Sequence, residues 1–366
     1  MNFLKKLVLK FKKPVVIGIG GNNKAVLRMT EEVLDAELDQ QVKSGVGNFL
    51  SLLKTDVLIF EVDKEPAEVI FNEASKAILV GTAAGNIPPR SNVFAAKKKE
   101  VEGISKLAKE LPSDALFLVN YDDETMREII EDKEVVCDCL QYGLDEGAEV
   151  RASDIKVSEK GTSFKLNYEG NTVPVWLKNL VGKRQIYSAL ATCSLGVEMG
   201  LNLVDINQSL KVYEGIKGEG QLKPGIKKSR ILDDSANADP FSMDETLMIL
   251  SKIKNKLKGE TQTETRKIAV LGDILKVGKY AVEAHQALGE RAAENVDLLI
   301  VVGPRAKFIG NEAEIQGMEK ENIFHFNDEE EAAMELQEQI EPSDLILIDG
   351  AAEMDMEKIV EEVEAH

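Results

Sequence analysis

The chain has 366 residues, 43% hydrophobic and 30% charged, the make-up of a globular protein with chain enough for two sizeable cores. Its net charge of −19, from 45 basic and 64 acidic residues, argues against broad nucleic-acid binding, which needs a basic surface. Three cysteines, Cys137, Cys139 and Cys193, make neither a disulfide framework nor a zinc set, so buried free thiols in a reducing cytosol are expected, and no apolar run approaches the ~18 residues of a membrane span.

Residues 1–13, MNFLKKLVLKFKK, break the acidic character. Phe3, Leu4, Leu7, Val8 and Phe11 recur at helical spacing, with Lys5, Lys6, Lys10, Lys12 and Lys13 mostly on the other side. With no small-residue cleavage site, the stretch is a poor signal peptide. A basic amphipathic helix can lie on an anionic membrane surface. The preferred reading is a helix docked on the first domain with a lysine-rich exterior.

Residues 15–19 form a short apolar strand that runs into Gly20-Gly21-Asn22-Asn23-Lys24-Ala25 and then a helix. That is the place and shape of a phosphate loop. A working loop has glycine before its lysine, to wrap the phosphates, and Ser or Thr after it, to hold magnesium. Here Asn23 and Ala25 occupy those places, and Thr30 lies too far along the helix to substitute. A plain strand-to-helix turn is an equal reading. A strand over 57–62 carries Glu61, which would otherwise be a solvent-facing strand residue. The strand at 77–80 ends in Gly81-Thr82. Lys97, Lys98 and Lys99 sit in a run whose commoner meaning is a solvated helix face. Another strand, 115–119, leads to Asn120-Tyr121-Asp122-Asp123. Segments 164–168 and 173–177 alternate around Glu169-Gly170-Asn171 as a hairpin. Gly182-Lys183-Arg184-Gln185 then opens a long helix.

After a glycine-rich stretch at 215–225, strands at 230–232, 268–271, 298–302, 323–326 and 345–348 alternate with helices. This is the pattern of a parallel sheet covered on both faces. Residues 231–243, ILDDSANADPFSM, read as strand, polar loop and helix. Asp233 and Asp234 would then stand at a strand's carboxyl end, facing a nucleotide ribose or a metal-bound water. As an ordinary turn, the same stretch has Asp239 capping the helix and Pro240 in its first turn.

ILDDSANADPFSM resembles the DDSYNANPxSM signature of the Mur ligase family, the ATP-dependent ligases of cell-wall precursor synthesis, in the type that adds D-alanyl-D-alanine. Residues 119–123 resemble that family's VLNxDD. Residues 182–191, GKRQIYSALA, resemble GxHNxxNALA. Residues 268–278, IAVLGDILKVG, resemble IAVLGDMxELG, with His285 where the family has a histidine soon after. Residues 345–350, LILIDG, resemble VLVKGS, and the motifs keep the family's order over almost the whole chain.

The resemblance implies an α/β protein with mainly parallel sheets. Residues 1–228 would form a P-loop-like central domain, and residues 229–366 a Rossmann-like C-terminal domain. It implies ATP and magnesium as cofactors, with Gly20, Gly21, Asn22, Asn23, Lys24, Arg184, Gln185, Asp233, Asp234 and Asn237 around the nucleotide. Lys24 and Lys98 would serve catalysis, and Glu61 and a carbamylated Lys98 would hold the second magnesium; Lys97 is the next match.

The departures fall on these same positions. Besides Ala25, the magnesium-binding histidine after Thr82 is missing, Arg184-Gln185 replace His-Asn, Gln221 replaces an arginine, and Asp349 replaces a lysine. Val277 stands for a glutamate. The chain opens close to the phosphate loop, so the family's UDP-sugar domain is not expected, and a separate protein would supply it. Two functions remain open. One is an ATP-dependent acid–amino-acid ligase working through an acyl phosphate. The other, preferred because the drift is confined to nucleotide and metal positions, is a non-catalytic homologue serving as a binding or scaffold subunit.

Overall fold

A computed structural model describes residues 3–21, 24–47, 49–82, 95–236, 238–253, 265–275 and 277–365. Its contacts divide the chain into two bodies. The first comprises Met1–Ile155, Ser163–Trp176 and Lys183–Tyr213; the second comprises Lys156–Thr162, Leu177–Gly182 and Glu214–His366.

In the first part of the chain the elements are α1 (Phe3–Lys12), β1 (Val15–Gly20), α2 (Lys24–Glu37), β2 (Val42–Ser44), α3 (Phe49–Leu52), β3 (Val57–Glu61), α4 (Ala67–Phe71), β4 (Lys76–Gly81), α5 (Ala95–Glu110), β5 (Leu116–Asn120), α6 (Glu124–Ile130) and β6 (Asp138–Gly143). Three strands, β7 (Val150–Ser158), β8 (Gly161–Tyr168) and β9 (Asn171–Lys178), precede α7 (Lys183–Glu198) and α8 (Leu203–Val212). The strand order is β2-β3-β1-β4-β5-β6-β7-β8-β9, with β2 to β6 all parallel. Parallel strands covered on both faces are buried throughout, which is why β1, β3, β4 and β5 read as unbroken apolar runs. One face packs Val16, Leu58, Phe60, Leu79 and Phe117 against Ile70 and Phe71 of α4 and Ile104 and Ala108 of α5.

The hairpin expected around Glu169-Gly170 is present as β8–β9. Glu169 at φ 47° and Gly170 at φ 77° give the two left-handed residues of a tight two-residue turn. β7 was not anticipated from sequence. Seven of its nine residues are half-buried or exposed, so no apolar run marks it.

The N-terminal helix forms where expected and docks on the first body, but by another face. Val8 and Leu9 are buried, whereas Phe3, Leu4, Leu7 and Phe11 are exposed. Amphipathic spacing located the helix but not its packed side: of the stripe only Val8 is buried, and Leu9, off the stripe, shares the contact.

The second part runs β10 (Gln221–Pro224), β11 (Arg230–Asp234), α9 (Pro240–Lys252), β12 (Lys267–Gly272), α10 (Ala281–Asn295), β13 (Leu298–Val302), α11 (Lys307–Ile315), β14 (Ile323–Phe326), α12 (Glu329–Gln339), β15 (Leu345–Asp349) and α13 (Glu357–Val363). The sheet order is β10-β11-β15-β12-β13-β14, parallel except for the β10–β11 pair. Ile268, Val270, Ile300, Val302, Ile346 and Ile348 alternate onto one face, against Leu336 of α12 and Ile359, Val360 and Val363 of α13. Because β10 pairs with β11, the second sheet starts ahead of residue 228. Glycine-rich composition concealed this four-residue edge strand.

Candidate functional site

In the first body, β1 lies between β3 and β4, so the chain reverses its direction of travel across the sheet at β1. At such a switch point the carboxyl ends of parallel strands leave a crevice for a ligand. The pairings Ile19↔Glu61 and Gly20↔Gly81 bring Gly20, Glu61 and Thr82 to this one edge. Two different constraints require the paired glycines. A Cβ on Gly20 would lie 2.7 Å from Ile104 Cγ1, and Gly21 has φ 98°. Lys24 follows as the exposed first residue of the 14-residue α2. The free N–H groups and dipole at a helix start favour an anion there.

Among the described residues the same edge is poor in metal donors. Ala25 is fully buried and offers none. The Thr30 hydroxyl lies 3.1 Å from that of Thr192, tying α2 to α7. Thr82 Oγ1 donates to Gly20 O at 2.9 Å. Glu61 is paired at 2.5 Å with Lys64, whose pKa the carboxylate holds above its ordinary value. Among the described residues no group of three or more His, Cys, Asp or Glu is placed to hold a metal. These donors do not fit the magnesium set that the sequence resemblance implies.

Beyond β5, the acidic pair has structural work. Asp122 accepts from Leu144 N at 2.6 Å, Asp145 N at 3.0 Å and the Tyr187 hydroxyl at 2.9 Å. A Cβ on Gly143 would sit 2.9 Å from Asp122 Oδ1, so the clasp needs that glycine. Asp123 caps α6 through Met126 N at 3.1 Å. Tyr187 was missed from sequence, since an isolated tyrosine on a helix carries no pattern. Arg184 and Gln185 open α7, which packs on α2 and β5. Gln185 is buried and Arg184 half-buried.

Asp233 and Asp234 lie in the second body, at the carboxyl end of β11. Asp233 is fully buried and accepts from Ser235 Oγ at 2.7 Å and Ser235 N at 3.2 Å. Its other oxygen meets Lys223 Nζ of β10 at 2.8 Å. Sequence reading missed Lys223, which lies within the unrecognised β10. Asp234 pairs in register with Asp349, and Asp349 accepts from Thr246 Oγ1 of α9 at 2.6 Å. Asp349 therefore ties a helix to the sheet. Asp239 caps α9 with Ser242 completing a capping box and Pro240 in the first turn.

His285 is another buried anchor. Its Nε2 accepts from Ile274 N at 3.0 Å, and Nδ1 lies 2.5 Å from Ala281 O, which fixes a neutral ring with its proton on Nδ1. Burial lowers its pKa. Asp273 accepts from Arg305 N and Ala306 N at 3.0 and 2.6 Å.

The first body thus gathers Gly20, Gly21, Lys24 and Glu61. Asn22, Asn23 and Asn237 lie outside the described residues, as do the side chains of Lys97 and Lys98 in α5.

Comparison with known proteins fits this architecture. The profile described as "Mur ligase middle domain" matches residues 90–196, and that described as "Mur ligase, glutamate ligase domain" matches residues 221–352. Together they take in more than half of the chain. The chain belongs to the Mur ligase family. A UDP-N-acetylmuramate–L-alanine ligase of Alkaliphilus metalliredigens is 27% identical over 186 residues, covering 49% of this chain and 40% of that protein. A UDP-N-acetylmuramoyl-L-alanyl-D-glutamate–2,6-diaminopimelate ligase of Syntrophomonas wolfei is 24% identical, covering 57% and 42%. The chain spans about half the length of the curated relatives it matches. Among solved structures, MurF ligase from Thermotoga maritima in complex with ADP has a TM-score of 0.74 at 18% identity, covering 98% of this chain and 82% of that one. MurF from Acinetobacter baumannii also scores 0.74, at 19% identity, covering 98% and 78%. At these identities the likeness is one of fold. Among the described residues no helix is long and apolar enough to cross a membrane.

Proposed function

We propose that this Mur ligase homologue belongs to peptidoglycan-precursor synthesis in the cytoplasm, with its ATP-dependent ligation lost or much weakened. In this reading it acts as a binding or scaffold subunit. Its ligand would be an amino acid or peptide, with nucleotide bound weakly or not at all, and a protein partner would join it. Descent from the D-alanyl-D-alanine-adding type is part of the proposal, supported by ILDDSANADPFSM and by the fold likeness to MurF. Its central and C-terminal domains, expected to divide at residue 228, would divide ahead of it, since β10 belongs to the second sheet.

The observation that carries the reading is the scarcity of metal donors at the β1 edge among the described residues. Ala25 has no hydroxyl, those of Thr30 and Thr82 are hydrogen-bonded within the fold, and Glu61 is bound to Lys64. Magnesium leans on few protein oxygens, so losing one or two is serious. Hydrogen bonds to charged groups are each worth ~1.5–3 kcal/mol, and losing several weakens affinity by orders of magnitude at ~1.4 kcal/mol per tenfold. What remains is Lys24 at the start of α2, an anion site without its metal. Calorimetric titration with ATP, with and without magnesium, tests this. No heat of binding is expected up to about millimolar ATP, a range where Kd corresponds to only ~4 kcal/mol. Micromolar, magnesium-dependent binding abolished by Lys24→Ala would overturn the proposal in favour of an active acid–amino-acid ligase.

A further inference from the structure

The N-terminal helix has one side packed and another open. It rests on α3 and α4 through Val8 and Leu9, and Lys12 pairs with Asp56 at 2.7 Å. At about 100° per residue these three positions share one side of the helix. Phe3, Leu7 and Phe11, each four residues apart, line a different side, with Leu4 beside them. Phe3 is 78% exposed, Phe11 80%, Leu4 52% and Leu7 38%. Scattered apolar residues on a surface need no explanation, but a continuous ridge with two phenylalanines marks an interaction site. Leu50 of α3 and Leu53 just after it are exposed as well.

Charge selects the occupant. Lys6 and Lys10 are exposed and border the ridge, and Lys13 follows the helix. Residues 1–13 contain five lysines and no acid, in a chain of net charge −19. A second copy of this chain, meeting the ridge about a two-fold axis, would set these lysines against their own counterparts. An anionic lipid surface instead attracts them, and its headgroup boundary accepts the apolar ridge. We propose that α1 seats the protein on an anionic membrane surface, with Phe3, Leu4, Leu7 and Phe11 entering the headgroup–acyl boundary and Lys6 and Lys10 against lipid phosphates. Because Val8 and Leu9 already hold the helix in place, it meets the surface preformed and no folding cost is charged to binding. The proposal is independent of nucleotide binding.

Flotation of the full chain with lipid vesicles tests it. The chain should float with phosphatidylcholine–phosphatidylglycerol vesicles and not with phosphatidylcholine alone. Phe3→Ser with Phe11→Ser should abolish flotation. Each lysine near an anionic surface contributes about fivefold, so Lys6→Gln with Lys10→Gln should weaken it roughly 25-fold. All four side chains are exposed, so both variants should keep the parent's melting temperature. Absence of flotation with the anionic vesicles would overturn the proposal. So would flotation unchanged in either folded variant, or a dimer that the phenylalanine changes dissolve while no vesicle is bound.

Discussion

His285 shows how a motif residue can be kept for folding. The histidine that the resemblance sets soon after IAVLGDILKVG is fully buried, and both ring nitrogens are committed to backbone groups of its own body. Protonating it would cost the bond from Ile274 N and place a charge in an apolar setting, which the Ala281 carbonyl and Asp273 offset in part and Arg305 opposes. Its pKa is therefore lower folded than unfolded, where it is about 6.5. The sign follows. The contribution to stability is full above the unfolded value and is lost as pH falls through the folded one, at no more than ~1.4 kcal/mol per pH unit for one proton. Unfolding between pH 7.5 and 5.5 should show stability falling in the parent and a flatter slope in His285→Gln. Equal slopes would mean that His285 does not carry the pH dependence. The sequence marked this residue through its position in a motif, but its role follows from the two carbonyl and amide groups that the fold brings to it.

At the scale of elements, the central parallel strands were legible because burial on both faces leaves unbroken apolar runs, as in β13; the half-exposed edge strand β14 also fell where the sequence placed it. What escaped were elements without such a run. β7 is half-exposed, and β10 hides in a glycine-rich stretch. Missing β10 also concealed why Asp233 is acidic. The signal available was an apolar Leu222 between two polar residues, too short to outweigh the glycines. The candidate site was legible at Gly20, Gly21 and Lys24, where strand, turn and helix follow one another in the sequence. The pairing of Glu61 with Lys64 was not legible, because it depends on the turn after β3. The β10–β11 pair has a measurable consequence. Lys223, with a side chain 14% exposed, meets a carboxylate with no exposure at all. Removing one partner of such a buried pair costs ~3–5 kcal/mol, since the other charge is stranded. Lys223→Met should lower stability by about that much, and adding Asp233→Asn should recover a large part of it. Denaturant unfolding of the two variants measures the difference. A single-variant loss below ~1 kcal/mol, the range of exposed pairs, would show that Asp233 is solvated.

The whole molecule is not cut cleanly by its chain. The second body takes its main part from Glu214–His366 but also Lys156–Thr162 and Leu177–Gly182, from the strands that extend the first sheet. Those short pieces complete the edge at β10. Leu222 N donates to Asn179 O at 2.7 Å, Val181 N to Gly220 O at 2.9 Å, and Thr162 Oγ1 to Leu180 O at 2.9 Å. Arg230, at the start of β11, reaches Glu159 O at 2.6 Å. A fragment of residues 214–366 would keep the five parallel strands and their helices, so it should fold. Its outermost strand would lose its backbone partner along one side, and a four-residue edge strand held on one side opens locally at little cost. Hydrogen exchange should therefore show the amides of Gln221 to Lys223 exchanging much faster in the fragment than in the whole chain, while those of β12 and β13 stay protected in both. Each backbone bond lost contributes ~0.5–1.5 kcal/mol, so protection at β10 should fall by roughly tenfold or more. Equal protection of β10 in fragment and whole chain would mean that residues 156–162 and 177–182 do not belong to the second body. In that case a single cut near residue 213 would separate two self-sufficient domains.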